Sequence, residues 1–94
     1  MEFLVSIKIQ TPHDLPQERF QDLLSRERIR GNELKEQGHI ARIWRIPGTR
    51  NNVGIWQAAD ANELHTLVSS LPLFAFMSVE VTPLAVHPLE EDKK

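Results

Sequence analysis

Hydrophobic spacing switches period along this chain in a fixed order, and that order restricts the fold more than any other feature. Phe3, Val5, Ile7 and Ile9 alternate with Leu4, Ser6, Lys8 and Gln10, the two-residue period of a half-buried strand. TPHDLPQ then interrupts, with Pro12, Pro16 and the turn residues His13 and Asp14. From Pro16, which suits a first helical turn, the period is helical to about Gln37. Glu18 and Asp22 come early and Arg26, Arg28, Arg30 and Lys35 later, as the helix dipole prefers, and Gly38 supplies the stop. HIARIWRI is a β-branched and aromatic run ending at Pro47-Gly48, Thr49 to Asn52 is turn chemistry, and NVGIWQA returns as a third strand. The two strands predict a hairpin whose large side chains are Trp44 and Trp56. Asp60 with Glu63 predicts a capping box, opening a helix with Ala61, Leu64, Leu67, Val68 and Leu71 on one face that ends before Pro72. FMSVEVTPLAV supplies the last strand, with Pro83 favouring an edge or a bulge.

The order β-α-β-β-α-β predicts an α+β, ferredoxin-like domain: a four-stranded antiparallel sheet with two helices on one face. With 94 residues, 40% of them hydrophobic, the chain has room for one such domain, placed at 1–88, and a charged tail at 89–94. A chain this small buries only about 60–65% of its unfolded surface. In strict alternation the second strand puts Ile40, Arg42, Trp44 and Ile46 on one side and Ala41, Ile43 and Arg45 on the other. Neither side is wholly polar, so the uncovered sheet face needs a second surface. We expect another copy to pack there sheet to sheet, as in a dimeric α/β barrel.

Charge and motifs remove most function classes. Thirteen acidic and eleven basic residues give a net charge of −2, which leaves no electrostatic footprint for nucleic acid or an anionic membrane. Arg26, Arg28 and Arg30 do not form a continuous basic stripe, because at about 100° per residue Arg28 points away from the other two. The absence of cysteine removes thiolate nucleophiles, disulfides and cysteine metal sites and is compatible with a cytoplasmic setting. MEFLVSIKIQ, with charge at Glu2 and Lys8, reads as neither a signal peptide nor a membrane span. His13, His39, His65 and His87 have no metal-ligand spacing, no serine sits in a nucleophile motif, and the four glycines form no phosphate or dinucleotide loop. Chemistry without a metal or cofactor is what remains.

Against that background one charge stands out. Stepping about 100° per residue from Phe20, Leu23, Leu24, Glu27, Gly31 and Leu34 fall on one face, so Glu27 points where the leucines point. Gly31, one turn on, costs the helix about 1 kcal/mol relative to alanine. It either opens a pocket or lets the helix approach the sheet closely. Glu27 itself is either a carboxylate with a chemical task or half of an ion pair with Arg42 or Arg45.

Glu27, the LKEQG run at 34–38, WRI at 44–46, Asn52, Leu64-His65 and LPLFAFM at 71–77 occur in this order, and with them the chain resembles the muconolactone delta-isomerase family from the first strand to about Pro88. The resemblance implies large homo-oligomers, typically decamers built from sheet-packed dimers. It also implies a cofactor-free reaction of aromatic catabolism in the β-ketoadipate pathway, the conversion of muconolactone to 3-oxoadipate enol-lactone. One carboxylate can do this chemistry. It takes a ring proton to give a dienolate and returns a proton two carbons along, and burial raises its pKa toward a useful value. On that reading Glu27 is catalytic, Arg45 is the first choice to anchor the substrate's carboxylate and Arg42 the second, and Trp44, Asn52, His65 and Phe74 are further substrate-binding candidates. Trp44 alternatively belongs to the core, His65 to a backbone hydrogen bond, and Asn52 to the turn. The chain departs from the family pattern at Thr49, Arg50, Val53 and Gly54, where Arg50 either meets a differently placed carboxylate or is a solvated turn residue. The alternative function is a small-acid-binding or differently catalytic relative on the same oligomeric fold, with Glu27 structural.

Overall fold

The computed structural model describes residues 1–91 and contains the expected elements in the expected order. They are β1 (Glu2–Ile9), α1 (Gln17–Glu36), β2 (Ile40–Arg45), β3 (Asn52–Gln57), α2 (Ala61–Ser69) and β4 (Met77–Leu84). Short helical turns at Phe74–Phe76 and Pro88–Glu91 flank β4. Of the tail 89–94, residues 92–94 lie outside the described residues. The strands are ordered β2-β3-β1-β4 and every pairing is antiparallel, so the fold is the ferredoxin-like α+β arrangement. Pro83 sits near the end of β4, an edge strand, where its missing N–H leaves the sheet intact.

Local chemistry explains the breaks. Gly38 takes a positive φ of 85°, and the amides of Gly38 and His39 return to the carbonyls of Lys35 and Leu34, closing α1. Pro47 and Gly48 occupy the centre of a turn in which Thr49 N–H donates to Ile46 O at 3.2 Å, and Gly48 has φ 81°, as a type II turn requires. Asp60 accepts from Glu63 N–H at 2.8 Å, while Glu63 reaches back to Ala59 N–H at 2.7 Å. That reciprocal pair starts α2.

Phe3, Val5 and Ile7 of β1 meet Leu34, Leu64, Val68 and Trp56 in one core between the sheet and the helices. The opposite sheet face carries Leu4, Ser6, Val53 and Ile55, which pair across β1 and β3, and Arg42 and Trp44, opposite Ile55 and Val53. Strict alternation fails at the start of β2. A register shift between Ile40 and Arg42 makes Ala41 an extra residue, so Ile40 pairs with Trp56 and is buried in the core instead of sharing the open face with Arg42 and Trp44. Gly54 allows close approach here, because a Cβ would lie 2.7 Å from Arg42 O. Among the described residues, no helix is long and apolar enough to cross a membrane.

Candidate active site

Glu27 is half-buried on α1, facing the seam between that helix and β2. Its Oε1 accepts from Leu73 N–H at 2.9 Å. Pro72 and two tight turns, in which Phe74 N–H donates to Leu71 O and Phe76 N–H to Leu73 O, leave the Leu73 amide without a main-chain acceptor, so the carboxylate satisfies an otherwise orphaned donor. Burial pushes the Glu27 carboxyl above its ordinary value of 4.5, and the Leu73 hydrogen bond opposes that shift.

The ion-pair alternative for Glu27 is not found among the described residues. The ion pairs among the described residues are Arg26–Asp22 at 2.8 Å and Arg30–Glu33 at 3.0 Å, and neither Arg42 nor Arg45 pairs with Glu27. Arg42 lies on the other side of the sheet, its guanidinium 4.8 Å from the centre of the Trp44 ring. Arg26, Arg28 and Arg30 do diverge: Arg28 turns to the cavity beside Glu27, and Arg30 donates to Ser70 Oγ at 2.9 Å.

A cavity of about 260 Å³ is lined by Leu24, Glu27, Arg28, Arg45 and Arg50. Arg45 reaches it because its register partner is Asn52, which pairs on the other side with the core residue Ile7. Both therefore face the helices. Arg45 Nη1 donates to Arg50 O at 2.5 Å, and the Arg50 guanidinium lies 5.1 Å from the Phe20 ring centre, a cation–π contact. A neighbouring cavity of about 350 Å³ shares Arg28 and Arg45 and continues along Gly31, Asn32 and Ile43. Nothing lies within 4 Å of a Cβ at Gly31. That position opens space; it does not serve close helix–sheet approach.

The sequence candidates are thus divided. Glu27 and Arg45 share one cavity. Asn52 stands on the same sheet side, with its Oδ1 buried and unpartnered. Arg42 and Trp44 occupy the open sheet face. His65 and Phe74 line a separate cavity of about 360 Å³ between α2 and β4, together with Leu64, Val68, Val79 and Val81, their rings edge to face at 6.4 Å. The Arg28 side chain and the Leu73 amide are neighbours of Glu27 that spacing did not single out. Arg28 follows Glu27 in sequence, but no local signal joins Leu73 to a residue 46 positions earlier. No group of three metal-ligating side chains occurs among the described residues.

A muconolactone delta-isomerase family model matches residues 1–90. The muconolactone delta-isomerase of Cupriavidus pinatubonensis is 39% identical over 88 residues, covering 94% of this chain and 96% of that protein. Muconolactone delta-isomerase 1 of Acinetobacter lwoffii is 36% identical, covering 94% of this chain and 92% of its own length. A crystal structure of muconolactone isomerase is similar to the fold with a TM-score of 0.87 at 30% identity, covering 94% of this chain and 92% of that one.

Proposed function

Because the chain belongs to the muconolactone delta-isomerase family, we propose that it shifts a carbon–carbon double bond in an unsaturated carboxymethyl lactone, with Glu27 as the proton carrier. The observation that supports this most is a half-buried carboxylate with no cation paired to it among the described residues, on the wall of a cavity that also holds Arg45. An ion pair would hold Glu27 down as a weak base. Burial instead raises its proton affinity, which makes the ionised carboxylate a stronger base.

In the proposed reaction the ionised carboxylate removes the ring proton γ to the lactone carbonyl. The electrons of that C–H bond form the new double bond, and those of the old one delocalise onto the carbonyl oxygen as a dienolate. Glu27, now protonated, delivers a proton to the α carbon, and the double bond has moved by one position with no change in composition. The proposed steps are redox-neutral, and the proton leaves and returns through the same carboxylate. Arg45 holds the substrate's carboxylate, for which a planar guanidinium offers two parallel donors, and Arg28 adds charge at the same wall.

One observation favours the second reading, in which Glu27 is structural: its bond to Leu73 N–H ties α1 to the segment before β4. Glu27→Gln separates the two, because the amide oxygen still accepts that bond but does not abstract protons. Isomerisation of muconolactone, followed by the ultraviolet change on double-bond migration, is expected to fall by about 10²–10⁴-fold with the thermal midpoint retained. A variant turning over at the wild-type rate would sink the role of Glu27.

The same reading includes a cytoplasmic homo-oligomer built on sheet-packed dimers. Leu4 and Trp44 are exposed at 36% and 44% on the uncovered sheet face, where a second copy would bury them. Light scattering that returns only the 10.8 kDa protomer at micromolar concentration would rule that assembly out.

A further inference from the structure

The cavity around Glu27 holds more positive charge than a substrate with one carboxylate uses. Arg28, Arg45 and Arg50 line it with a single acid, and none of the three arginines has an ion-pair partner among the described residues. They also differ in the space they border. Arg28 and Arg45 border the second compartment toward Gly31, whereas Arg50 borders only the first and packs over Phe20. Phe20 precedes Glu27 by two turns of α1, about 10 Å along the helix axis. Arg50 is therefore anchored toward the N-terminal side of Glu27, at the ring of Phe20.

Arg50 is not loosely placed. Its turn is braced by Ile46 N–H to Asn51 O at 3.0 Å, by Asn51 N–H to Thr49 Oγ1 at 2.9 Å, and by Ile9 N–H to Asn51 Oδ1 at 3.0 Å. Arg45 bonds its main-chain carbonyl, so the Arg50 side chain is not used in holding the turn. The Phe20 ring supports the guanidinium on one face and leaves its five N–H donors for a ligand.

We infer that Arg50 forms a second anion subsite, and that the site takes an unsaturated lactone carrying two carboxylates, one held by Arg28 and Arg45 and the other by Arg50. This rests on the lactone reading and narrows its substrate class. In the cavity that holds Glu27, three guanidiniums face one protein carboxylate, with Lys35 on the second compartment only, and a dicarboxylate balances the remaining two charges where a monocarboxylate balances one. Charge balance of this kind sets the preference between related ligands.

Two saturated γ-lactones test it, one bearing a single carboxymethyl group and the other two carboxylates on opposite sides of the ring. Neither contains a carbon–carbon double bond, so binding is read without turnover. Calorimetric titration of the wild-type chain is expected to show the dicarboxylate binding at least about tenfold tighter. In Arg50→Gln the ratio should fall to near one, while Arg26→Gln, which changes an arginine paired with Asp22, leaves it unchanged. Equal binding of the two probes by the wild type, or a ratio that survives Arg50→Gln, overturns the subsite. A ratio of one accompanied by a drop in kcat on the monocarboxylate in Arg50→Gln also overturns it, and moves Arg50 to the lactone carbonyl. Preserved probe discrimination in a chain that isomerises no lactone would defeat the isomerase proposal and leave the subsite standing.

Discussion

The two helices cover the same sheet face, yet the seams beneath them differ in kind. Under α2, Leu64, Val68, Val79 and Val81 meet Phe74 and His65 around a roomy apolar cavity. Under α1, a smaller cavity holds a carboxylate and three guanidiniums. Volume alone would select the first. Only the second combines a group able to exchange a proton with groups able to hold an anion, so chemistry and not capacity identifies the site. The difference begins in the stripes themselves: α2 keeps its inward face apolar, while α1 spends two inward positions on Glu27 and Gly31.

Paired substitutions should make that contrast measurable. Leu64→Ala, in the apolar seam, is expected to destabilise the chain by about 2–5 kcal/mol in denaturant titrations while kcat/KM of the folded fraction stays close to wild type. Arg45→Gln should do the reverse. Losing a charged hydrogen bond worth about 1.5–3 kcal/mol lowers kcat/KM by roughly 10–100-fold, mainly through KM, and the unfolding midpoint should barely move because Arg45 supports no core packing. If Leu64→Ala abolished catalysis in folded protein and Arg45→Gln did not, the assignment of the two seams would be exchanged. The smallest effect is a gain: Gly31→Ala has open space at its Cβ and should stabilise α1 by about 0.5–1 kcal/mol. A loss of stability there would show that α1 needs glycine for close approach to the sheet.

The same two seams show which features are legible in sequence. Periodicity located β1 and both long helices, and β-branched and aromatic runs located the other strands, because the stops between them, Gly38, Pro47-Gly48 and Asp60, carry their own chemistry. Glu27 was visible for the same reason, as a charge on an apolar stripe. Alternation in β2 separates Arg45 from Arg42 and Trp44, but the bulge at Ala41 was not visible, since its cause is the pairing of Ile40 with Trp56 across the hairpin. Family resemblance collected Arg42, Trp44, Asn52, His65 and Phe74 with Glu27 as candidates in one group, whereas the fold distributes them over the open face, the α1 side and the α2 cavity. Leu73 was beyond reach, because its role rests on a main-chain amide and no side-chain pattern records it.

The central claim is that Glu27 acts as a base whose proton affinity is raised by burial. The pH dependence of kcat/KM on muconolactone tests it most directly. A base must be ionised, so activity should be full at high pH and fall as pH drops through the carboxyl's raised value, placing the acid limb above the ordinary 4.5. A profile that stays flat down to that ordinary value would contradict the account.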